Sequence, residues 1–229
     1  TDSNADLPLD LQQQLGIVVV PLIVHFGHQQ YRDGVDITSH EFFTRLRAGD
    51  VLPTTSQISV GDWRASYLKA IEQIRVNGQE PEGVVVMTIA SSLSGTYSAA
   101  CAAAEGLPVL PPGKEGGTGL DVPIEVIDSR QISVGTGWLA ITAARAAQEG
   151  RPFAEIVAQA RDRVPRLRVF GMLDSLDHAQ RGGRIGKGAA LLGTLLNVKP
   201  MLQVRDGEVL PIGRVRTRHR AYQRIVELA

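Results

Sequence analysis

The chain of 229 residues is 43% hydrophobic and 21% charged, enough for a substantial core in one large domain or two smaller ones. Lys plus Arg equals Asp plus Glu at 24 each, so net charge points to neither a nucleic-acid nor a membrane partner. The single cysteine, Cys101, excludes an internal disulfide framework and a cysteine-based zinc cluster, and no run is long and apolar enough to cross a bilayer, which fits a cytoplasmic protein without a transmembrane segment.

In chain order, Thr1 to Pro8 reads as a polar turn and Leu9–Leu15 as a short helix. Ile17–Phe26 is a strand candidate, interrupted by Pro21, and Tyr31–Ile37 is a turn. Thr38 and Glu41 have capping-box spacing, with Phe42, Phe43 and Leu46 beyond them as an apolar face. Thr54-Thr55-Ser56-Gln57 is polar and shows neither a helical nor a strand period. A helix from about Val60 to Val76 carries Trp63, Tyr67, Ile71 and Ile74 on one face.

Val84–Ile89 is β-branched and uncharged, the pattern of a strand buried on both faces. Ala99–Glu105 is a helix ended by Gly106. Between them lie Ser91, Ser92, Ser94, Gly95 and Thr96, four hydroxyls and a glycine at a strand-to-helix turn. A helix N-terminus offers unpaired N–H groups to an anion, so this turn is the candidate seat for a carboxylate or phosphate. Capping alone needs one or two hydroxyls. The spacing is not Gly-x-Ser-x-Gly and no histidine is near in sequence, which disfavours a serine hydrolase.

Pro108–Gly119 holds three prolines and four glycines and reads as a surface insertion. Ile124–Ile127 is a strand ending in Asp128-Ser129, Gln131–Glu149 is helical, and Phe153–Val164 is a further helix. Gly135-x-Gly137 resembles a dinucleotide fingerprint but falls too far past the strand, so helix packing explains it better. Gly113-Lys114 and Gly186-Lys187 lack the spacing of a nucleotide-triphosphate loop. Alternating strands and helices predict a parallel sheet, with ligands beyond the carboxyl ends of its strands. Asp2-Ser3, the serine loop and Asp128-Ser129 would converge there, and Thr54–Ser56 could join them.

Past Arg166 the pattern changes. Val169–Leu173 is a strand, Ser175–Gln180 a short helix, and Asp206-Gly207 a hairpin turn between two apolar runs. Arg181 and Arg184 sit on a glycine-rich segment, where they either clamp a phosphate, meet a partner, or are solvated. Arg214, Arg216, Arg218, Arg220 and Arg224 form a basic run. The fold expected is α/β, with a parallel-sheet N-terminal domain over 1–165 and a smaller α/β domain over 166–229. The chain begins without methionine and stops within a helical pattern, so both ends read as cut.

Asp2-Ser3-x-Ala5-Asp6-Leu7-Pro8, Pro53-Thr54-Thr55-Ser56-Gln57, Ser91–Tyr97, Asp128-Ser129, Gly182-Gly183-Arg184-Ile185, Lys199-Pro200 and Arg216-Thr217 occur in the order found in the DegV family, and the chain resembles that family over its whole length. The resemblance implies a two-domain α/β protein that binds one long-chain fatty acid between its domains, without cofactor or catalytic residue. It implies that Thr55 and Ser92 hold the carboxylate, with Ser91, Ser94, Gly95 and Thr96 around them. It further implies the binding subunit of a fatty acid kinase, which presents the carboxylate to an ATP-dependent kinase partner and carries acyl phosphate towards phospholipid synthesis. Arg181 and Arg184 are the segment for partner contact. The alternatives are an enzyme acting on a small phosphate or carboxylate, and a nucleic-acid or protein-binding module using the basic run.

Overall fold

The computed structural model describes residues 1–49, 51–106, 122–191 and 198–228. After a 3-10 turn at Ser3–Ala5 come α1 (Leu9–Leu15), β1 (Ile23–Phe26), β2 (Gln29–Arg32), α2 (Ser39–Ala48), β3 (Thr54–Ser56) and α3 (Val60–Val76). Then follow β4 (Val84–Thr88), α4 (Thr96–Glu105), β5 (Ile124–Asp128), α5 (Val134–Gln148) and α6 (Phe153–Arg163). The chain continues through β6 (Val169–Met172), α7 (Asp177–Arg181), a 3-10 turn at Gly186–Leu191, β7 (Lys199–Arg205), β8 (Glu208–Val215) and α8 (Arg218–Leu228). The glycine- and proline-rich 108–119 stretch lies outside the described residues.

The fold is mixed α/β. β4 and β5 pair in parallel, from Val84↔Ile124 to Thr88↔Asp128. β4 is covered on both faces, as its uncharged β-branched pattern predicts. Val86 packs with Trp63, Tyr67, Ala100 and Ala103, and Met87 with Leu139, Ala140, Ala160 and Val164. The small alanines of α4 let α3 approach closely, and the buried Tyr67 hydroxyl donates to the Ala100 carbonyl at 2.9 Å. Burial raises the Tyr67 phenol above its ordinary range.

Three sequence expectations are corrected. The strand read over Ile17–Phe26 is confined to Ile23–Phe26, with Val20 in an isolated parallel bridge to Asp2. Pro21, which has no N–H to give a ladder, separates the two. Part of the Tyr31–Ile37 turn is strand: β2 pairs with β1 as a hairpin. Thr54–Ser56 is also a strand, antiparallel to β1 with Val24 opposite Thr55. Three residues are too few to display a period, and their partner is thirty residues away in sequence.

Thr38 caps α2 as expected, its Oγ1 accepting the Glu41 N–H at 3.2 Å while Glu41 accepts the Thr38 N–H at 2.8 Å. Its apolar face is not core, however. Phe43 is 51% exposed, and Phe42 packs edge-on to Phe26. The helix read from Gln131 begins at Val134, and the one read over Ser175–Gln180 spans Asp177–Arg181. Gly135-x-Gly137 is a packing feature: a Cβ at Gly137 would stand 2.4 Å from the Ala5 carbonyl oxygen.

β6, β7 and β8 form an antiparallel sheet, with β7–β8 joined at Asp206-Gly207 as the hairpin signal predicts. Its core of Leu176, Leu202, Val204 and Val209 also receives Leu93 and Ile132, from the loops that follow β4 and β5. Those loops therefore lie where the C-terminal sheet meets the parallel pair.

Candidate functional site: the serine loop at the sheet junction

The loop after β4 is fixed from three sides. Its entry is held by Asp2, a fully buried carboxylate that accepts the Ile89 N–H at 2.8 Å and the Asn4 N–H at 3.0 Å. Burial pushes the Asp2 carboxyl above its ordinary value. The Ala90 N–H donates to the Gln131 carbonyl at 2.9 Å, which ties the loop to the one after β5. Asp128, the last residue of β5, accepts the Ser91 hydroxyl at 2.5 Å, the Ser91 N–H at 3.2 Å and the Arg130 N–H at 2.8 Å.

The hydroxyls picked out in sequence have different occupations. Ser91 is engaged with Asp128. Ser94 and Thr96 bond to each other at 2.9 Å, and the Thr96 N–H donates to Ser94 at 3.3 Å. Thr96 is wholly buried, so its side chain serves the start of α4. Ser92 is exposed, and its Oγ donates to the Gly207 carbonyl at 2.6 Å. Ser3 and Ser129 are also used internally: Ser3 accepts the Leu22 N–H, and buried Ser129 bonds Thr136 and the Gln131 N–H.

Thr55 comes to this loop through its neighbour Gln57. A Cβ at Gly95 would stand 1.8 Å from Gln57 Oε1, so the Gln57 amide lies directly over Gly95. A glycine at such a turn lets a ligand approach the backbone, but the space that Gly95 leaves is filled by Gln57. Thr55 is exposed, and its hydroxyl has no hydrogen-bond partner among the described residues. By register, Thr55 shares the face of Val24, whereas His25 and Ser56, bonded at 3.0 Å, lie on the other. The one Ser–His hydrogen bond among the described residues therefore faces away from Thr55.

The C-terminal sheet closes the junction. The Gly207 N–H donates to the Arg130 carbonyl at 2.9 Å, so Gly207 is held by both strand-end loops at once. Arg184 Nε donates to the Leu93 carbonyl at 3.4 Å and its Nη1 to the Gly182 carbonyl at 2.5 Å. Arg181 is exposed at the end of α7. Sequence reasoning missed Gln57 and Arg130 as members of this cluster, and it read Gly207 only as a turn. Composition gave no signal for any of the three, because each acts through a contact distant in sequence.

Chemically, the junction offers exposed neutral hydroxyls beside the positive end of α4. That arrangement suits an anion, with the Asp128 carboxylate nearby engaged by Ser91 and Arg130. Among the described residues no group of His, Cys, Asp and Glu gathers to hold a metal, and no helix is long and apolar enough to cross a membrane. Two open surface cups, of about 490 and 260 Å³, lie around α8 and border neither Ser92 nor Thr55.

A family profile described as "Uncharacterised protein, DegV family" matches residues 1–229. A DegV domain-containing protein of Caldanaerobacter subterraneus is 36% identical over 227 residues, covering 99% of this chain and 74% of that protein. A Thermus thermophilus structure named for fatty acid binding of a DegV family protein is similar with a TM-score of 0.82 and 35% identity, over 99% of this chain and 74% of that one. A stearic acid-binding protein of Eubacterium ventriosum is similar with a TM-score of 0.79 and 32% identity, over 99% and 73%.

Proposed function

This chain belongs to the DegV family, and on that premise we propose that it binds a long-chain fatty acid with the carboxylate at Thr55 and Ser92. The observation that carries this reading is the seating of Gln57 over Gly95, which draws the Thr55 segment against the serine loop. Of the six loop and strand residues considered, three carry exposed hydroxyls: Ser91 donates to the Asp128 carboxylate, Ser92 to the neutral Gly207 carbonyl, and Thr55 has no hydrogen-bond partner among the described residues, so Thr55 and Ser92 are the two not held by a charged group. An ionised carboxylate only accepts hydrogen bonds, and two hydroxyls beside a helix N-terminus donate them without a counter-charge.

The affinity would come from the acyl chain, at about 0.8 kcal/mol for each methylene buried. The fatty-acid-binding names of similar solved structures support the same ligand class. We read residues 1–165 and 166–229 as the two domains that enclose the ligand. The protein acts in the cytoplasm as a non-catalytic carrier. It presents the carboxylate to an ATP-dependent kinase subunit and conveys acyl phosphate towards phospholipid synthesis. Arg181 and Arg184 face that partner. No cofactor is required, because the phosphoryl donor is bound by the kinase.

Native mass spectrometry of the gently purified protein tests the reading. A co-purifying or readily reloaded long-chain fatty acid is expected, and Ser92→Ala and Thr55→Ala are each expected to weaken its retention without unfolding the chain. Repeated absence of any acyl ligand overturns the reading. Unchanged retention in both variants overturns the head-group assignment.

A further inference from the structure

The two proposed head-group hydroxyls are not equivalent. Thr55 has no hydrogen-bond partner among the described residues, whereas Ser92 is already spent on Gly207. We propose that the Asp206-Gly207 hairpin is an occupancy-sensitive latch, closed by the Ser92 hydroxyl and opened when an ionised head group takes that hydroxyl's one hydrogen bond. This rests on the fatty-acid reading above and adds a regulatory consequence to it.

A serine hydroxyl has one hydrogen to donate and two lone pairs. At 2.6 Å the Ser92 Oγ gives that hydrogen to the Gly207 carbonyl, a full-strength O–H···O bond. A carboxylate at neutral pH is acceptor-only. It cannot use the lone pairs of Ser92, so it binds there only if the hydroxyl rotates away from Gly207. The exchange leaves the Gly207 carbonyl to find water.

The hairpin is seated to feel this. Gly207 is buried although it stands at a hairpin tip, and it adopts a φ of +78° that favours glycine. A Cβ there would stand 2.7 Å from Ser92 Oγ. Once the Ser92 bond is gone, the hairpin tip is tied to the strand-end loops by the Gly207 N–H to Arg130 carbonyl bond, with Leu93 and Ile132 packed on the core beneath it. Opening is therefore a local loosening of residues 205–208, with the sheets still in contact.

The loosening has a route to the surface proposed for the kinase. Glu208 pairs with Lys187 at 2.8 Å, and a Cβ at Gly186 would stand 3.1 Å from the Val209 carbonyl oxygen. The turn that follows Arg184 thus rides on the first residues of β8. Arg184 itself touches the serine loop through Leu93. A change at Gly207 reaches the Arg181–Arg184 segment from both sides, which lets a partner distinguish loaded from empty protein.

Backbone hydrogen exchange of the hairpin peptide tests this, comparing delipidated protein with protein saturated with octadecanoate. Saturation is verified by native mass spectrometry on the same samples. Octadecanoate is expected to speed exchange over residues 205–208 several-fold. Delipidated Ser92→Ala is expected to exchange at the fast rate without ligand, and Ser92→Thr, which keeps a hydroxyl, to restore the slow rate. Retained octadecanoate with unchanged or slower hairpin exchange overturns the latch and leaves the carrier reading standing. A delipidated Ser92→Ala hairpin as protected as the parent overturns it too. Failure of the parent protein to retain octadecanoate overturns the carrier reading and the latch with it.

Discussion

Asp128 holds Ser91 by two hydrogen bonds, accepting its hydroxyl at 2.5 Å and its backbone N–H at 3.2 Å. The same carboxylate accepts the Arg130 N–H, so one side chain sets both strand-end loops. Asp128 thereby positions the serine loop and leaves Ser92, one residue on, to face the junction. Replacing it with Ala leaves three donors, on exposed Ser91 and Arg130, to water. Hydrogen bonds to a charged group contribute about 1.5–3 kcal/mol each when shielded, and the partial exposure of Asp128 places the expected loss near the low end. Asp128→Ala should lower urea stability by about 1–2 kcal/mol and reduce fatty-acid retention, with Asp128→Asn intermediate. Retention unaffected in Asp128→Ala, at an unchanged fold, would show that the loop is set elsewhere.

Gln57 and Gly95 make a second coupled pair. The atom that a Gly95 Cβ would strike is the far end of an exposed, flexible side chain, and the backbone there, with φ −70° and ψ 0°, accepts alanine. Gly95→Ala should therefore change stability by less than about 1 kcal/mol, yet displace the Gln57 amide and with it the Thr55 segment. Retention of fatty acid is expected to fall in Gly95→Ala. Removing the obstructing amide in Gln57→Ala/Gly95→Ala should recover part of it, a non-additivity that a double-mutant cycle measures. Strict additivity would mean that Gln57 does not seat the Thr55 segment.

These pairs show what the sequence could and could not convey. The parallel β4–α4–β5 unit was legible because Val84–Thr88 is an uncharged, mostly β-branched run and α4 an alanine-rich one, both local signals of burial. The serine loop was legible because hydroxyls in excess of a cap are unusual. β3 was not legible, since its strand character comes from pairing with β1, a contact distant in sequence that three polar residues cannot advertise. The division of labour among Ser91, Ser92, Ser94 and Thr96 was likewise hidden. Whether a hydroxyl faces a ligand or a neighbour depends on Asp128 and Gly207, and Gly207 is 115 residues from Ser92. The Asp-Gly pair announced a turn, while the surface on which that turn lands is a property of the packed molecule.

Gly137 tests the packing reading of the Gly-x-Gly sequence. In an exposed helix interior, Gly→Ala gains about 1 kcal/mol from helix propensity. Here a Cβ would stand 2.4 Å from the backbone oxygen of Ala5 and 3.1 Å from Leu7 Cδ2, and a backbone carbonyl cannot swing aside. The sign should reverse. Gly137→Ala is expected to destabilise by about 1–3 kcal/mol in urea denaturation, because α5 and the N-terminal turn must separate. That turn carries Asp2, which fixes the entry of the serine loop, so fatty-acid retention should weaken in parallel. A stabilised Gly137→Ala variant would show that the turn does not press on α5.

Two aspartates should titrate in opposite directions. Asp36 accepts Arg32 Nε and Nη2, each at 2.8 Å, and the Arg32 N–H at 2.9 Å. The Arg32 side-chain hydrogen bonds, with the backbone one behind them, hold its carboxyl down at about 2, against an ordinary 3.8. Between those values the unfolded chain binds a proton that the folded chain does not, so this contribution to stability is complete above 3.8 and is lost as pH falls through about 2. The pair is exposed, so added salt should shrink the effect. Asp2 has the reverse sign. Burial raises its carboxyl, the folded chain holds the extra proton, and stability falls as pH rises from 3.8 through the raised value. Carboxyl-resolved NMR titration should place Asp36 near 2 and Asp2 above 3.8. Arg32→Ala should return Asp36 to the ordinary range and leave Asp2 where it was. An Asp36 midpoint already ordinary in the parent protein would mean that the Arg32 contact does not persist in solution.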